Sequence, residues 1–197
     1  SDCENPEEVV IADALRVGAG LGEMDYGHGS SGEERWKEAA IVYLDWLGVP
    51  DWVLTNDVTT RSMYAVYQGV DAYFSIHTNC CESSGTSTWV WYPEMWVHET
   101  HWPADHSTDN LPPGTLEWAS SIHDEVIRNV RAHWRSEWRD SGIWGADFGE
   151  LRPIRRAWAN DVNLGIDPPL AIPAALIEVA FHDTSSDTRL IRRQGFR

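Results

Sequence analysis

The alternation of apolar and polar residues predicts strands and helices that take turns along the chain. Residues 7–18, EEVVIADALRVG, form a β-branched run that suits a strand, and a glycine-rich loop follows them. Ser31 and Glu34 have the spacing of a capping box, which predicts the start of a helix. Gly48 and Pro50 end this helix, whose apolar stripe consists of Trp36, Ala40, Tyr43, Leu44 and Leu47.

Residues 61–134 contain two predicted helices and one predicted strand, separated by an irregular region. Residues 61–69 predict a short helix closed by Gly69, and residues 71–76, DAYFSI, predict a strand with Ala72, Phe74 and Ile76 packed. Residues 86–113 show no sustained period and predict a long surface excursion. An apolar stripe from Leu116 to Trp134 predicts the longest helix, on which His123 and His133 are expected at the surface.

The last strong element is AALIEVAF, residues 174–181, a nearly continuous apolar run typical of a strand covered on both faces. Strands separated by helices favour an α/β fold. We therefore expect a mostly parallel central β-sheet flanked by helices on both faces.

The charge and composition of the chain limit the classes of partner that we expect it to bind. The 197 residues carry a formal net charge of −16, and Lys37 is the only lysine. This balance argues against nucleic acid, since binding to phosphate backbones depends largely on clustered Lys and Arg, and it also disfavours anionic membrane surfaces. No apolar run approaches the roughly 20 residues of a membrane span. A leader is not seen at the start, so we expect any signal peptide to lie outside this chain.

The three cysteines are Cys3, Cys80 and Cys81, and they lack the C-x-x-C spacing of a zinc knuckle. One disulfide from Cys3 to either member of the adjacent pair is one prediction for an oxidising compartment. Unpaired small residues are the alternative.

Two residues break the apolar pattern of predicted strands. His77 comes where the strand AYFSI runs out, so its imidazole can project from the rim of the sheet, where parallel α/β sheets form their sites. Glu178 lies inside an apolar strand, and an isolated carboxylate is almost never buried unless it is paired or bound to metal. The competing explanations are a hydrogen-bonded rim histidine and a structural salt bridge from Glu178 to Arg152, Arg155 or Arg156.

The order of several segments resembles the zinc-dependent N-acetylmuramoyl-L-alanine amidases of the amidase-3 family. The segments are GHG at 27–29, RWKEAAIVYL with Glu38, FSIHTN with His77, GTSTWVWY, SGIWGADFGELR, and IPAALIEVAFHD with Glu178. The resemblance implies a central sheet flanked by helices and one zinc ion held by His, Glu and His. It places metal ligation on Glu38 and His77 and catalysis on Glu178, and it puts Asn79 and His182 near the substrate.

The first ligand of such a site is His28 or a residue upstream of Ser1. His28 lies only ten residues before Glu38, closer than is usual in the family. The segment VVIADALRVGAGLGE also resembles the end of golvesin-like β-sandwich domains, which interrupt some amidases of this type. We therefore expect residues 1–22 to be a strand and linker, in one interpretation the end of an upstream golvesin-like domain, and residues 23–197 to be the amidase-like catalytic domain.

The expected function is hydrolysis of the peptidoglycan amide between N-acetylmuramic acid and L-alanine, by a secreted, periplasmic or cell-wall protein. Two alternatives stay open: an inactive module that binds wall glycan or peptide, and a zinc peptidase that cuts another amide of the stem peptide. A further hypothesis is that four tryptophans in the middle of the chain stack on sugar rings, and the alternative is that they pack in the core. These residues are Trp89, Trp91, Trp96 and Trp102.

Overall fold

A computed structural model describes residues 39–81, 83–93, 110–160 and 170–196, and these residues form five helices and four strands. The helices are α1 Ala40–Trp46, α2 Asp57–Gln68, α3 Thr115–His133, α4 Arg152–Trp158 and α5 Ser185–Ile191. The strands are β1 Tyr73–Asn79, β2 Thr86–Trp91, β3 Asp140–Ala146 and β4 Ala174–Phe181.

The four strands form one sheet in the order β1-β4-β2-β3. The pairs β1/β4 and β2/β3 are parallel, and the central pair β2/β4 is antiparallel. The predicted α/β class with a mostly parallel sheet is thus confirmed. Strand β4 has a neighbour on each side, which agrees with its nearly continuous apolar sequence.

Helices cover opposite faces of this sheet. On one face, Thr88 of β2 forms a hydrogen bond with His123 of α3, with 2.9 Å between Oγ1 and Nδ1. On the other face, the guanidinium carbon of Arg155 in α4 lies 4.5 Å from the centroid of the Trp91 ring in β2. Side chains three positions apart on a strand point to opposite faces, so α3 and α4 lie on different sides. The main core joins α4 to the sheet through Ile154, Ala157, Trp91 and Leu176.

Local sequence explains the best-defined helix ends. The side chain of Asn56 accepts hydrogen bonds from the backbone N–H groups of Val58 and Thr59, each at 3.0 Å, which caps α2. Gly69 closes the helix in the left-handed region at φ 61°, where glycine carries no Cβ penalty. The predicted helix at 61–69 is therefore confirmed but begins earlier, at Asp57.

The prediction of an irregular excursion at residues 86–113 is wrong at its start, because Thr86–Trp91 is strand β2. Its hydroxyl residues hid the strand from the apolar pattern, and the structure buries all three of them, Thr86, Ser87 and Thr88. Thr86 Oγ1 donates to the carbonyl oxygen of Val179 at 2.9 Å, so burial is matched by a hydrogen bond. The pattern also missed β3, α4 and α5.

Ile76 was predicted to be packed, and this is wrong. Strand β1 lies at the edge of the described sheet, and Ile76 is 67% exposed. It lines a cavity of about 930 Å³ between β1 and α3, together with Phe74, Val126 and Val130. The strand also continues past residue 76 to Asn79, so His77 lies within its last three residues.

A buried carboxylate ties α5 to the sheet. Asp187 is fully buried, and its oxygens accept hydrogen bonds from the backbone N–H groups of Gly85 at 3.0 Å and Phe181 at 3.1 Å. The hydroxyl groups of Ser84, at 2.6 Å, and Ser186, at 2.9 Å, also donate to it. These bonds fix the loop before β2 against the end of β4.

None of the described helices is long and apolar enough to cross a membrane. The predicted strand at residues 7–18, the start of the first helix, the boundary at residue 22 and the predicted disulfide partner Cys3 all lie outside the described residues.

Candidate active site

The centre of the candidate site is Glu178 on β4. Its register partner on β1 is His77, and its partner on β2 is Ser87. Register partners on neighbouring strands present their side chains on the same face, so the sheet brings the two predicted site residues together. Strands β1 and β4 are parallel, and both residues lie near their carboxyl ends, where sites form in α/β sheets.

Neutral donors surround the Glu178 carboxylate. Its Oε2 atom accepts hydrogen bonds from Trp89 Nε1 at 2.7 Å, from Ser87 Oγ at 2.9 Å, and from Asn79 Nδ2. Among the described residues, all donors to this group bind Oε2. Oε1 is therefore the oxygen that can exchange a proton.

The environment raises the pKa of Glu178. Burial is the largest cause of this rise, the hydrogen bonds from Trp89 and Ser87 oppose it, and the negative charge of Glu150 adds to it. Such a shift brings a carboxyl group closer to the pH range in which it can both accept and return a proton.

The salt-bridge alternative for Glu178 finds no support among the described residues. Arg152 instead binds Asp147, with 2.8 Å between Nε and Oδ1, and Arg155 lies over the Trp91 ring. Burial raises the pKa of Asp147, but the hydrogen bonds from Arg152 and Trp91 outweigh it and hold that pKa below its usual value.

His77 is positioned by its own strand and by the loop after β3. Its Nε2 atom lies 2.8 Å from Ser75 Oγ and 3.8 Å from Glu150 Oε1. The side chains of His77 and Glu150 are 21% and 13% exposed. Glu150 was missed by the sequence analysis, although the segment FGELR was part of the resemblance, because a single loop carboxylate has no periodic signal.

The neighbouring Gly149 lets this loop approach α2. A Cβ atom at this position would lie 2.7 Å from Cγ1 of Val58, a distance that real side chains do not adopt. The absence of a side chain at Gly149 therefore allows the loop that carries Glu150 to lie close to α2.

Asn79 and His182 meet at the same end of the sheet. The backbone N–H of His182 donates to the carbonyl oxygen of Asn79 at 2.8 Å, and His182 Nδ1 lies 3.1 Å from Thr78 Oγ1. Asn79 donates to Glu178 and accepts from the backbone N–H of Cys80 at 2.7 Å. The structure thus gives Asn79 a role in holding Glu178, and its contact with substrate stays a prediction, as does that of His182.

The donor chemistry around His77 fits zinc, which binds imidazole nitrogen and carboxylate oxygen. Within the described ranges no three His, Cys, Asp or Glu side chains form a metal-binding group. Glu38 and His28 lie outside the described residues, so the structure places neither of them.

Of the four tryptophans for which sugar stacking was considered, two pack against neighbouring side chains and two lie outside the described residues. Trp91 belongs to the core, is 9% exposed, and donates from Nε1 to Asp147 at 2.8 Å. Trp89 binds Glu178 and packs edge-on against Phe148, with 5.2 Å between ring centroids. Trp96 and Trp102 lie outside the described residues.

His123 was expected on the helix surface, and this is wrong, because only 3% of it is exposed. Its ring bridges Thr88 Oγ1 and Asp140 Oδ1, each at 2.9 Å. The order hydroxyl, imidazole, carboxylate resembles a nucleophilic triad. Thr88 is fully buried, however, so this chain of bonds serves to hold α3 against the sheet.

Comparison with known proteins gave matches among solved structures alone. No family model matches the sequence, and no curated protein matches it. The N-acetylmuramoyl-L-alanine amidase from Clostridium difficile 630 is 23% identical, with a TM-score of 0.45 over 69% of this chain and 54% of that one. The amidase AmiC2 of Nostoc punctiforme is 13% identical, with a TM-score of 0.47 over 72% of this chain and 58% of that one.

The amidase Ami1 from Mycobacterium abscessus is similar over more of its length. It is 14% identical, with a TM-score of 0.45 over 93% of this chain and 86% of that one. The matched part of this chain spans little more than half of each of the first two structures. Because these identities and TM-scores are low, a function has to be supported by the residues of the site themselves.

Proposed function

We propose that this chain is a zinc-dependent hydrolase of peptidoglycan that cleaves the amide between N-acetylmuramic acid and L-alanine. The observation that carries the proposal is the register pairing of His77 with Glu178 at the carboxyl ends of β1 and β4. It joins the two segments, SIHTN and PAALIEVAF, on which the resemblance to amidase-3 enzymes mainly rests.

Glu178 is suited to move protons in amide hydrolysis. Its Oε2 atom is held by three donors, which orients Oε1. Oε1 can take a proton from the attacking water and return it to the leaving nitrogen, and the raised pKa favours the first step. The Asn79 and Trp89 side chains keep the carboxylate in this orientation.

His77 would hold the metal together with Glu38 and with either His28 or a residue upstream of Ser1. When bound, zinc supplies a Lewis acid that activates water and polarises a carbonyl oxygen. Glu150, 3.8 Å from His77 Nε2, would orient the imidazole, as carboxylates commonly do next to metal-binding histidines.

The proposal also assigns partners and location. The substrate is peptidoglycan or a muropeptide, so the protein would act outside the cytoplasmic membrane, secreted, periplasmic or at the cell wall. An upstream golvesin-like domain would be joined through residues 1–22, and the acidic chain would not bind nucleic acid.

Zinc content tests the site. The chain purified without chelator should hold about one zinc per molecule, and His77→Ala should reduce that content strongly. His133→Ala is the matched control, because His133 lies on the exposed surface of α3 and bonds the Asn129 carbonyl oxygen at 3.1 Å. Equal zinc content in His77→Ala and the parent would contradict the metal site.

The same proteins separate the alternative functions. A chain that binds muropeptides without cleaving them, with or without zinc, would be a wall-binding module. Release of a fragment cut within the stem peptide would identify a zinc peptidase instead.

A further inference from the structure

Two adjacent cysteines, Cys80 and Cys81, follow directly after Asn79, one of the three described residues that donate hydrogen bonds to Glu178. Cys80 and Cys81 are free thiols, and their Sγ atoms lie 2.7 Å apart, within hydrogen-bonding distance of each other. Cys81 adopts φ 79°, and Asn160 is the only other non-glycine residue with positive φ in the described part of the chain. This conformation is uncommon for a side-chain-bearing residue and often marks a functional constraint.

The pair is accessible from solvent. Cys81 is exposed and Cys80 is half-buried. The backbone N–H of Cys81 donates to Asp183 Oδ2 at 2.6 Å, which anchors the turn to the end of β4. A soluble oxidant or reductant can therefore reach the sulfur atoms while the backbone around them is held.

The turn is coupled to the candidate catalytic carboxylate through one side chain. The backbone N–H of Cys80 donates to Asn79 Oδ1 at 2.7 Å, and Nδ2 of the same amide donates to Glu178 Oε2. A change in the backbone at residues 80 and 81 would therefore alter the orientation of the Asn79 amide, and with it the support of Glu178.

We propose that Cys80 and Cys81 form a reversible vicinal disulfide that locks the Asn79 amide against Glu178. The oxidant is a second disulfide, on a small molecule or a protein. The exposed Cys81 thiolate attacks this disulfide and releases one thiol, and the Cys80 thiolate then attacks the Cys81 sulfur and releases the second. Two cysteine thiols and one disulfide become one vicinal disulfide and two thiols.

The bond should be easy to reduce. Neighbouring Cα atoms are about 3.8 Å apart, whereas those of ordinary disulfides are about 4.4–6.8 Å apart, so the ring is strained. Strained and exposed disulfides belong to the labile class that cells use for regulation. The Asn79 contact with Glu178 is already formed while both thiols are free, so the disulfide would restrict the motion of the turn and keep this contact formed for more of the time.

Peptide mapping tests the bond without reference to activity. The chain is equilibrated with oxidised glutathione, alkylated in denaturant without reductant, and digested with trypsin, which cuts after Arg16 and Arg61 and so separates Cys3 from the pair. We expect the peptide with Cys80 and Cys81 to carry no alkyl group and to be lighter by two hydrogens, while Cys3 is alkylated. Alkylation of both members of the pair, or a cross-link to Cys3, would overturn the proposal.

Hydrogen exchange tests the coupling. The amides of residues 77–79 should exchange more slowly in the oxidised parent than in the reduced parent, and a Cys80→Ser, Cys81→Ser double variant should show no difference between the two conditions. Cys3→Ser should behave as the parent. The same redox response in the double variant would contradict the coupling.

The effect on turnover rests on the proposed function, so it is measured separately. On muropeptides the oxidised parent should be several-fold more active than the reduced parent, and the double variant should not respond. If the chain lacks amidase activity but the vicinal disulfide and slow exchange are found, the function fails and the disulfide stands.

Discussion

The substitution Glu178→Gln separates a catalytic carboxylate from a structural one. The described donors to Glu178 are neutral groups, and burial raises its pKa. A group whose folded pKa is raised contributes stability below its unfolded pKa and loses it as pH rises through the folded pKa. At neutral pH the charge of Glu178 therefore lowers the stability of the fold.

The expected magnitudes follow from this environment. The amide oxygen of the substituted glutamine can accept the same three hydrogen bonds, and the charge penalty disappears. The free energy of unfolding at neutral pH should thus stay within about 1 kcal/mol of the parent or rise. Amide hydrolysis should fall by at least about two orders of magnitude, which corresponds to roughly 2.7 kcal/mol in activation free energy.

The assay compares the melting temperature and turnover on muropeptides for the parent, Glu178→Gln and Glu117→Gln. Glu117 is an exposed carboxylate in the first turn of α3, far along the chain from the site, and its variant should keep full activity. A large loss of stability in Glu178→Gln, with activity preserved per folded molecule, would refute the catalytic role.

Two further substitutions test the surroundings of the site. Trp89→Phe removes a donor that lowers the pKa of Glu178, so that pKa should rise and the acid limb of the kcat/KM profile should move to higher pH. Trp144→Phe is the control and should leave the limb in place, because the Trp144 indole, on β3, donates to the Ser141 carbonyl oxygen rather than to Glu178. Asp187→Ala leaves the backbone N–H groups of Gly85 and Phe181 without their buried acceptor, so the free energy of unfolding, measured with urea, should fall by about 3 kcal/mol. A loss below about 1 kcal/mol would contradict the role of Asp187 as an anchor.

The sequence predicts the two site residues, Glu178 and His77, that interrupt the apolar pattern of a strand. A carboxylate inside the apolar run of β4 and a histidine at the end of β1 are visible without a structure, because isolated polar groups in strands need a partner. Their pairing depends on the strand order β1-β4, which periodicity does not encode. The resemblance to the amidase-3 family assigned both residues to one site, but it did not predict the strand order.

The errors arise where partners are distant in sequence. His123 lies on an apolar helix stripe, and its burial depends on Thr88 and Asp140, which come from two different strands. Strand β2 begins with three hydroxyl residues, so its apolar signal is weak until the sheet supplies hydrogen bonds for them. Glu150 reaches His77 through a loop, and no local period marks such a residue.

Product analysis on one defined muropeptide tests whether the chain cleaves the proposed amide. A disaccharide carrying a stem peptide is incubated with the zinc-loaded chain, and the products are identified by mass spectrometry. We expect a free peptide that begins with L-alanine and a disaccharide that keeps its lactyl carboxylate, and we expect neither product with Glu178→Gln. An intact substrate, or a cut at any other amide, would contradict it.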